Sequence, residues 1–204
     1  MKTNYQNIIN ENLYKLFTKP VSDLEGRLKA EKREEHYYLN AFGEECVITP
    51  DMIIFSGKPD AGPRGLLVSL YAIYAGTEAL RSEPFKAFRE LPDSMPFQPA
   101  FSVNSEKVLV PYVSLIKEKQ EIIREALATG QSKPNVGGDF SLILRPLPKI
   151  ELLYIFYEQD EEFPSSAICL FSANALSFMP VDGLADTAEY TSKAIISLIR
   201  GEHP

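Results

Sequence analysis

The chain has 204 residues, with 21 Lys and Arg against 28 Asp and Glu and a formal net charge of −7. That length suits one domain, 1–204, able to bury ~70% of its unfolded surface without a disulfide or metal staple. A composition of 45% hydrophobic and 24% charged residues excludes disordered, collagen-like and coiled-coil classes. An isoelectric point near 5.0 argues against a duplex nucleic-acid binder, which carries a basic stripe.

Residues 3–18 read as an amphipathic helix, with Tyr5, Ile8, Ile9, Leu13, Leu16 and Phe17 at helical spacing and Pro20 as its stop. The charge-rich stretch 22–34 reads as a weaker, solvated helix or loop. The period then changes: EHYYLNAF, ECVITP and DMIIFSG are three short β-type runs forming an antiparallel meander. Pro63 is placed for the first turn of a helix running to about Ala79. Residues 82–104 are irregular, and Phe85, Phe88, Phe97 and Phe101 predict a loop pinned to the core. A second long helix is expected over 105–128, started or kinked by Pro111 and ended by Gly130, with a turn at 131–138.

Asp139–Arg145 and Lys149–Tyr157 read as a hairpin, and Ser166–Phe171 as a third strand. IELLYIFY is almost continuously apolar, as in a strand covered on both faces. Asp182 is a plausible N-cap for a last helix through Ile199. The order α, βββ, α, α, βββ, α predicts an α+β fold. Its antiparallel sheet has about six strands in two three-stranded groups, packed with four to five helices.

The chemistry-bearing residues are sparse. Cys46, Cys169, His36 and His203 are scattered, so no zinc site or iron–sulfur cluster is expected; each cysteine sits in an apolar run and reads as a buried, inert thiol. No nucleophile elbow exists, and His36 has no matching Ser or Cys motif. No catalytic residue is assigned.

The sharpest polar cluster is Glu158–Glu162. Asp160, Glu161 and Glu162, with Asp139 converging from a neighbouring strand start, are candidate oxygen ligands for a hard cation, or else a solvated acidic turn. Arg64, in GPRG ahead of a helix, is a candidate anion ligand. Arg89 and Glu90 either position a ligand on the pinned loop or pair internally. Residues 131–204 carry 5 basic and 10 acidic side chains, so the acidic face belongs to the C-terminal third. No apolar run is long enough to span a membrane, and the N-terminus has no signal-like apolar core, so a cytoplasmic protein is expected.

The stretches GLLVSLYAIYAG, FKAFRELPDSMPF, PNVGGDFSLILRPLPKIELLYIFYEQDEEFP and AICLFSANALSFMP resemble the uncharacterised DUF3786 family over roughly 62–180. That family is found in bacteria and archaea, often anaerobes, and sometimes follows a four-cysteine iron–sulfur module of the kind seen in corrinoid proteins. The resemblance therefore implies a redox or corrinoid protein as partner, while this chain lacks the four-cysteine module. Three readings follow. They are a non-catalytic binding or accessory module, a protein–protein interaction domain with an exposed apolar patch, and a metal-assisted enzyme using Asp160–Glu162. The cofactor is unknown; a homodimer is allowed, and nucleic acid and membrane are not expected partners.

Overall fold

The computed structural model describes residues 4–19, 22–127 and 137–201. Helix α1 (Asn4–Thr18) buries Ile9, Leu13 and Leu16, the stripe that its spacing predicts. A short α2 (Leu24–Leu28) starts at Asp23, whose carboxylate accepts the Gly26 N–H at 3.2 Å. The end of the stretch read as solvated helix or loop is instead strand β1 (Glu31–Arg33). It pairs with β2 (His36–Ala41), where the Arg33 guanidinium lies 4.6 Å from the Tyr38 ring centroid. Cation–aromatic packing thus holds a strand too charged to announce itself by apolar alternation.

Strands β3 (Glu44–Ile48), β4 (Ile53–Phe55) and β5 (Lys58–Pro59) complete a five-stranded antiparallel meander in the order β1-β2-β3-β4-β5. Its β2–β3 turn needs two left-handed residues, Phe42 (φ 53°) and Gly43 (φ 84°), and a Cβ at Gly43 would overlap the Ala126 carbonyl oxygen.

Helix α3 (Pro63–Tyr74) begins at Pro63 as read but ends five residues early, where Ala75 turns extended (ψ 119°). Two cations occupy its negative end: Arg27 Nε donates to the Ala75 carbonyl at 2.8 Å and Lys149 Nζ to that of Gly76 at 3.1 Å. Between 82 and 112 lie β6 (Lys86–Ala87), a 3-10 turn at Phe88–Glu90, α4 (Gln98–Phe101), a π-turn at Ser102–Glu106 and a 3-10 turn at Lys107–Tyr112. This segment is pinned as expected: Phe88 stacks on Phe101 at 4.3 Å, and both lie under 6 Å from Phe171. The single helix expected over 105–128 is broken. Pro111 cannot donate and stays in the 3-10 turn, and α5 (Val113–Glu118) and α6 (Gln120–Leu127) part at Lys119. Gly130 and most of the turn expected at 131–138 lie outside the described residues.

The last third follows its reading closely. Strands β7 (Phe140–Leu147), β8 (Ile150–Tyr157) and β9 (Ser166–Phe171) join β6 in a four-stranded antiparallel sheet ordered β6-β9-β8-β7. Helix α7 (Val181–Arg200) starts after Pro180, which stands where Asp182 was expected as cap. Asp182 falls in the first turn, its Oδ1 accepting the Gly183 N–H at 2.9 Å. The fold is α+β with two antiparallel sheets; the first expected three-stranded group gains short β1 and β5 at its edges and the second gains β6. One contiguous core runs from Ile9 to Ile199 through both sheets. Within it the Tyr154 hydroxyl of β8 donates to the Ala188 carbonyl of α7 at 3.2 Å and lies 3.1 Å from Ser192 Oγ.

Candidate functional site: the outer face of the second sheet

Alternation along β8 divides its side chains. Leu152, Tyr154 and Phe156 point inward and are fully buried. Leu153, Ile155 and Tyr157 point the other way, beside Ser141 and Ile143 of β7 and Ser166, Ile168 and Leu170 of β9. Antiparallel sheets normally turn polar residues to the side their helices leave open. Here that side is aliphatic and only half covered. Leu153 is 2% exposed, and Phe85 and Pro84 line the shallow groove over it with Ile155 and Leu170. Ile168 is 37% exposed, Tyr157 41% and Phe163 66%. The two-sided covering that IELLYIFY predicts is therefore supplied in full on one face and partly on the other.

The segment that half-covers the face is tied down at its root. Ser82 Oγ donates to Glu151 Oε2, the Ala173 N–H donates to the Ser82 carbonyl at 3.1 Å, and the Arg81 N–H donates to Asn174 Oδ1 at 2.8 Å. Glu151 also pairs with Arg145, whose Nε donates to Oε1 at 3.1 Å. These groups close the lower end of the face.

Its upper end is acidic and carries most of the candidate metal ligands. Asp139, Tyr157, Glu158, Asp160, Phe163 and Ser166 surround a groove of about 400 Å³. Asp139 Oδ2 accepts the Glu158 N–H at 2.7 Å, and Lys117 pairs with Glu158. Asp160 Oδ1 accepts the N–H groups of Phe163 and Glu162 at 2.7 and 2.8 Å, which hold its carboxyl below the usual range. Glu161 and Glu162 stand in solvent. Asp139 and Asp160 are thus brought to one groove, Asp139 tying the start of β7 to the end of β8 and Asp160 organising its own turn, and among the described residues no group of three His, Cys, Asp or Glu is placed to hold a metal ion.

The remaining candidates lie elsewhere. Arg64 sits at the start of α3, its Nε donating to Asp60 Oδ2 at 2.9 Å while its head pairs with Glu44 and lies 3.8 Å over the Phe55 ring. Asp60 Oδ1 accepts the Gly62 N–H at 2.8 Å, so the anion at this helix start is the chain's own. Glu90 Oε2 accepts the Ala87 N–H at 2.7 Å within its own turn, and Arg89 is exposed, with Glu106 as the carboxyl whose charge it favours. These three residues do not converge with the acidic end of the sheet.

Sequence reasoning missed a second depression, of about 310 Å³, between α1, α3 and α7, with Tyr5, Leu66, Asp186 and Tyr190 in its walls. Burial raises both the Asp186 carboxyl and the Tyr190 hydroxyl above their ordinary values, and Glu189 adds to the Asp186 shift. No motif marks it, because α1, α3 and α7 meet only through the fold. The signal for the outer face was present: apolar residues in both phases of β8, and Ile168 and Leu170 in the outward phase of AICLF.

A family model, "Domain of unknown function (DUF3786)", matches residues 21–194, so the chain belongs to that family. The match takes in the first sheet and most of α7, beyond the stretches that carry the resemblance. No curated protein and no solved structure matches. Among the described residues no helix is long and apolar enough to cross a membrane.

Proposed function

We propose that this DUF3786 member is a non-catalytic binding module that receives a partner protein on the outer face of its second sheet. One observation carries the reading: among the described residues no helix lies over the face that holds Ile155, Ile168 and Leu170, and Ile168 is 37% exposed there, beside a β8 whose sequence is that of a doubly covered strand. The enzyme reading has less support, since the Asp139 carboxylate accepts the Glu158 N–H across the β7–β8 pair and the Asp160 carboxylate accepts the N–H groups of its own turn. A redox or corrinoid protein is the partner class proposed from the family's domain association, which is an associational argument and not one from the site.

Hydrogen exchange of the chain with and without a corrinoid iron–sulfur protein tests this. The expected result is added protection confined to 150–157 and 166–171, lost in Ile168→Asp. Protection elsewhere, or unchanged in that variant, overturns the docking face.

A further inference from the structure

The depression of about 310 Å³ between α1, α3 and α7 has walls of two kinds. Pro63, Leu66 and Leu67 of α3 make one aliphatic, and Tyr5 of α1, 43% exposed, lines the pocket beside them. Asp186, Glu189, Tyr190 and Lys193 of α7 make the other, because positions i, i+3, i+4 and i+7 share one face of a helix. The volume lies at the small end of ligand sites and is that of about ten waters of liquid, room for a molecule of roughly as many non-hydrogen atoms.

The charges of the α7 wall do not cancel. Glu189 is satisfied on both oxygens: Oε1 receives Lys193 Nζ at 2.5 Å, and Oε2 receives Asn104 Nδ2 at 3.0 Å. Lys193 is engaged by the same contact. Among the described residues the Asp186 carboxylate makes no hydrogen bond or ion pair, and it is exposed enough for a ligand to reach. Its surroundings oppose its charge. Partial burial raises its carboxyl above the ordinary value, Glu189 and Asp182 raise it further, and Lys193 offsets them only in part. A neutral guest leaves that charge uncompensated, and an anionic one adds to it. A bare metal ion would find one unspent carboxylate and make no use of the leucines. An organic cation answers both walls.

We propose that this pocket binds a small organic cation, a protonated amine on an apolar body about the size of a phenyl ring, with the ammonium against Asp186 and the body against Leu66 and Leu67. Tyr5 and Tyr190 put two aromatic rings in the same walls, and ring faces attract ammonium groups. The pocket shares no residue with the outer face of the second sheet, so it stands whether or not that face receives a partner.

The test is a titration of the chain followed by its amide chemical shifts. Phenethylamine is the probe and phenethyl alcohol its uncharged counterpart; butylamine carries the charge and stem of a lysine side chain without the ring. Phenethylamine is expected to shift amides at 63–67 and 186–193 saturably and to bind at least about tenfold tighter than the alcohol, as one partly desolvated charge contact allows. It should also bind at least about threefold tighter than butylamine, which buries fewer carbons. Asp186→Asn is expected to bring phenethylamine down to the affinity of the alcohol and leave the alcohol unchanged, and Leu66→Gln to weaken both. Equal binding of amine and alcohol, or amine binding untouched in Asp186→Asn, overturns the cation. Shifts outside these segments, or no saturable shift with phenethylamine, overturn the site. Butylamine binding as tightly as phenethylamine overturns the apolar body and points to a lysine side chain as the guest.

Discussion

Glu151 is the residue whose loss should be felt most widely. It is 5% exposed, and its carboxylate receives Arg145 on one oxygen and Ser82 on the other. Glu151→Leu would leave a guanidinium without its counter-charge and a hydroxyl without its acceptor. Breaking a fully buried pair from one side costs about 3–5 kcal/mol, but the Arg145 side chain is 25% exposed and keeps access to water, which discounts the cost to about 2–3 kcal/mol. For a domain of this size that is a fall in Tm of roughly 4–12 °C by calorimetry. Arg145→Leu/Glu151→Leu removes both charges and should lie within about 1 kcal/mol of the parent, because replacing a buried pair by apolar side chains is close to neutral. Because Ser82 roots the segment carrying Pro84 and Phe85, Glu151→Leu should also bind more of a hydrophobic dye than the parent at the same temperature. The reasoning is refuted if the double variant loses the sum of the two single losses. It is also refuted if Glu151→Leu melts within about 2 °C of the parent, a shift of roughly half a kcal/mol.

Two further predictions concern groups that burial has silenced. Cys46 and Cys169 are at most 1% exposed, and burial pushes both thiols far above their usual range, so a thiol reagent at pH 8 should label neither in the folded protein and both in denaturant; prompt labelling of either in the folded chain refutes the placement. Glu106 accepts the Cys169 N–H at 3.1 Å, yet burial raises its carboxyl pKa above 4.5, so its folded form favours the proton. The stability this gives is present below about pH 4 and is lost as pH rises through the raised value. Glu106→Gln keeps an acceptor and sheds the charge; it should therefore unfold at higher urea than the parent at pH 7 and match it near pH 4, and a loss at pH 7 would count against the assignment.

What the sequence made legible, and what it hid, follows one physical line. Patterns set by a single element were readable. The α1 stripe of Ile9, Leu13 and Leu16 needs only a 3.6 period, and Ser166–Phe171 needs only an apolar run between breakers. Features that depend on a partner element were not. Strand β1 exists because Tyr38 offers Arg33 a ring, α3 stops at Tyr74 where Arg27 and Lys149 meet the carbonyls of Ala75 and Gly76 just past its end, and Asp60 answers Arg64 from outside the helix. The candidate site followed the same rule. Asp139 and Asp160 were identifiable as carboxylates near strand ends, but their backbone partners were not, and those partners hold Asp139 to the end of β8 and Asp160 to its own turn.

Strand β8 is the case where reading and fold disagree productively. Its eight residues are apolar in both phases but for Glu151, a pattern that sheets use when both sides are buried. The fold delivers one full cover, from the helices over Tyr154 and Phe156, and one partial cover, from Pro84 and Phe85 over Leu153. Exposed aliphatic surface brings no stability to an isolated chain and raises its tendency to aggregate, and it is the 37% exposure of Ile168 that supports the docking reading proposed above. Local rules predict the inner face of this strand completely. On the outer face they are met only in part: Pro84 and Phe85 cover Leu153, Gly137 and Gly138 lie against Ile155, and Ile168 stays 37% exposed, which is the departure that supports the binding reading proposed above.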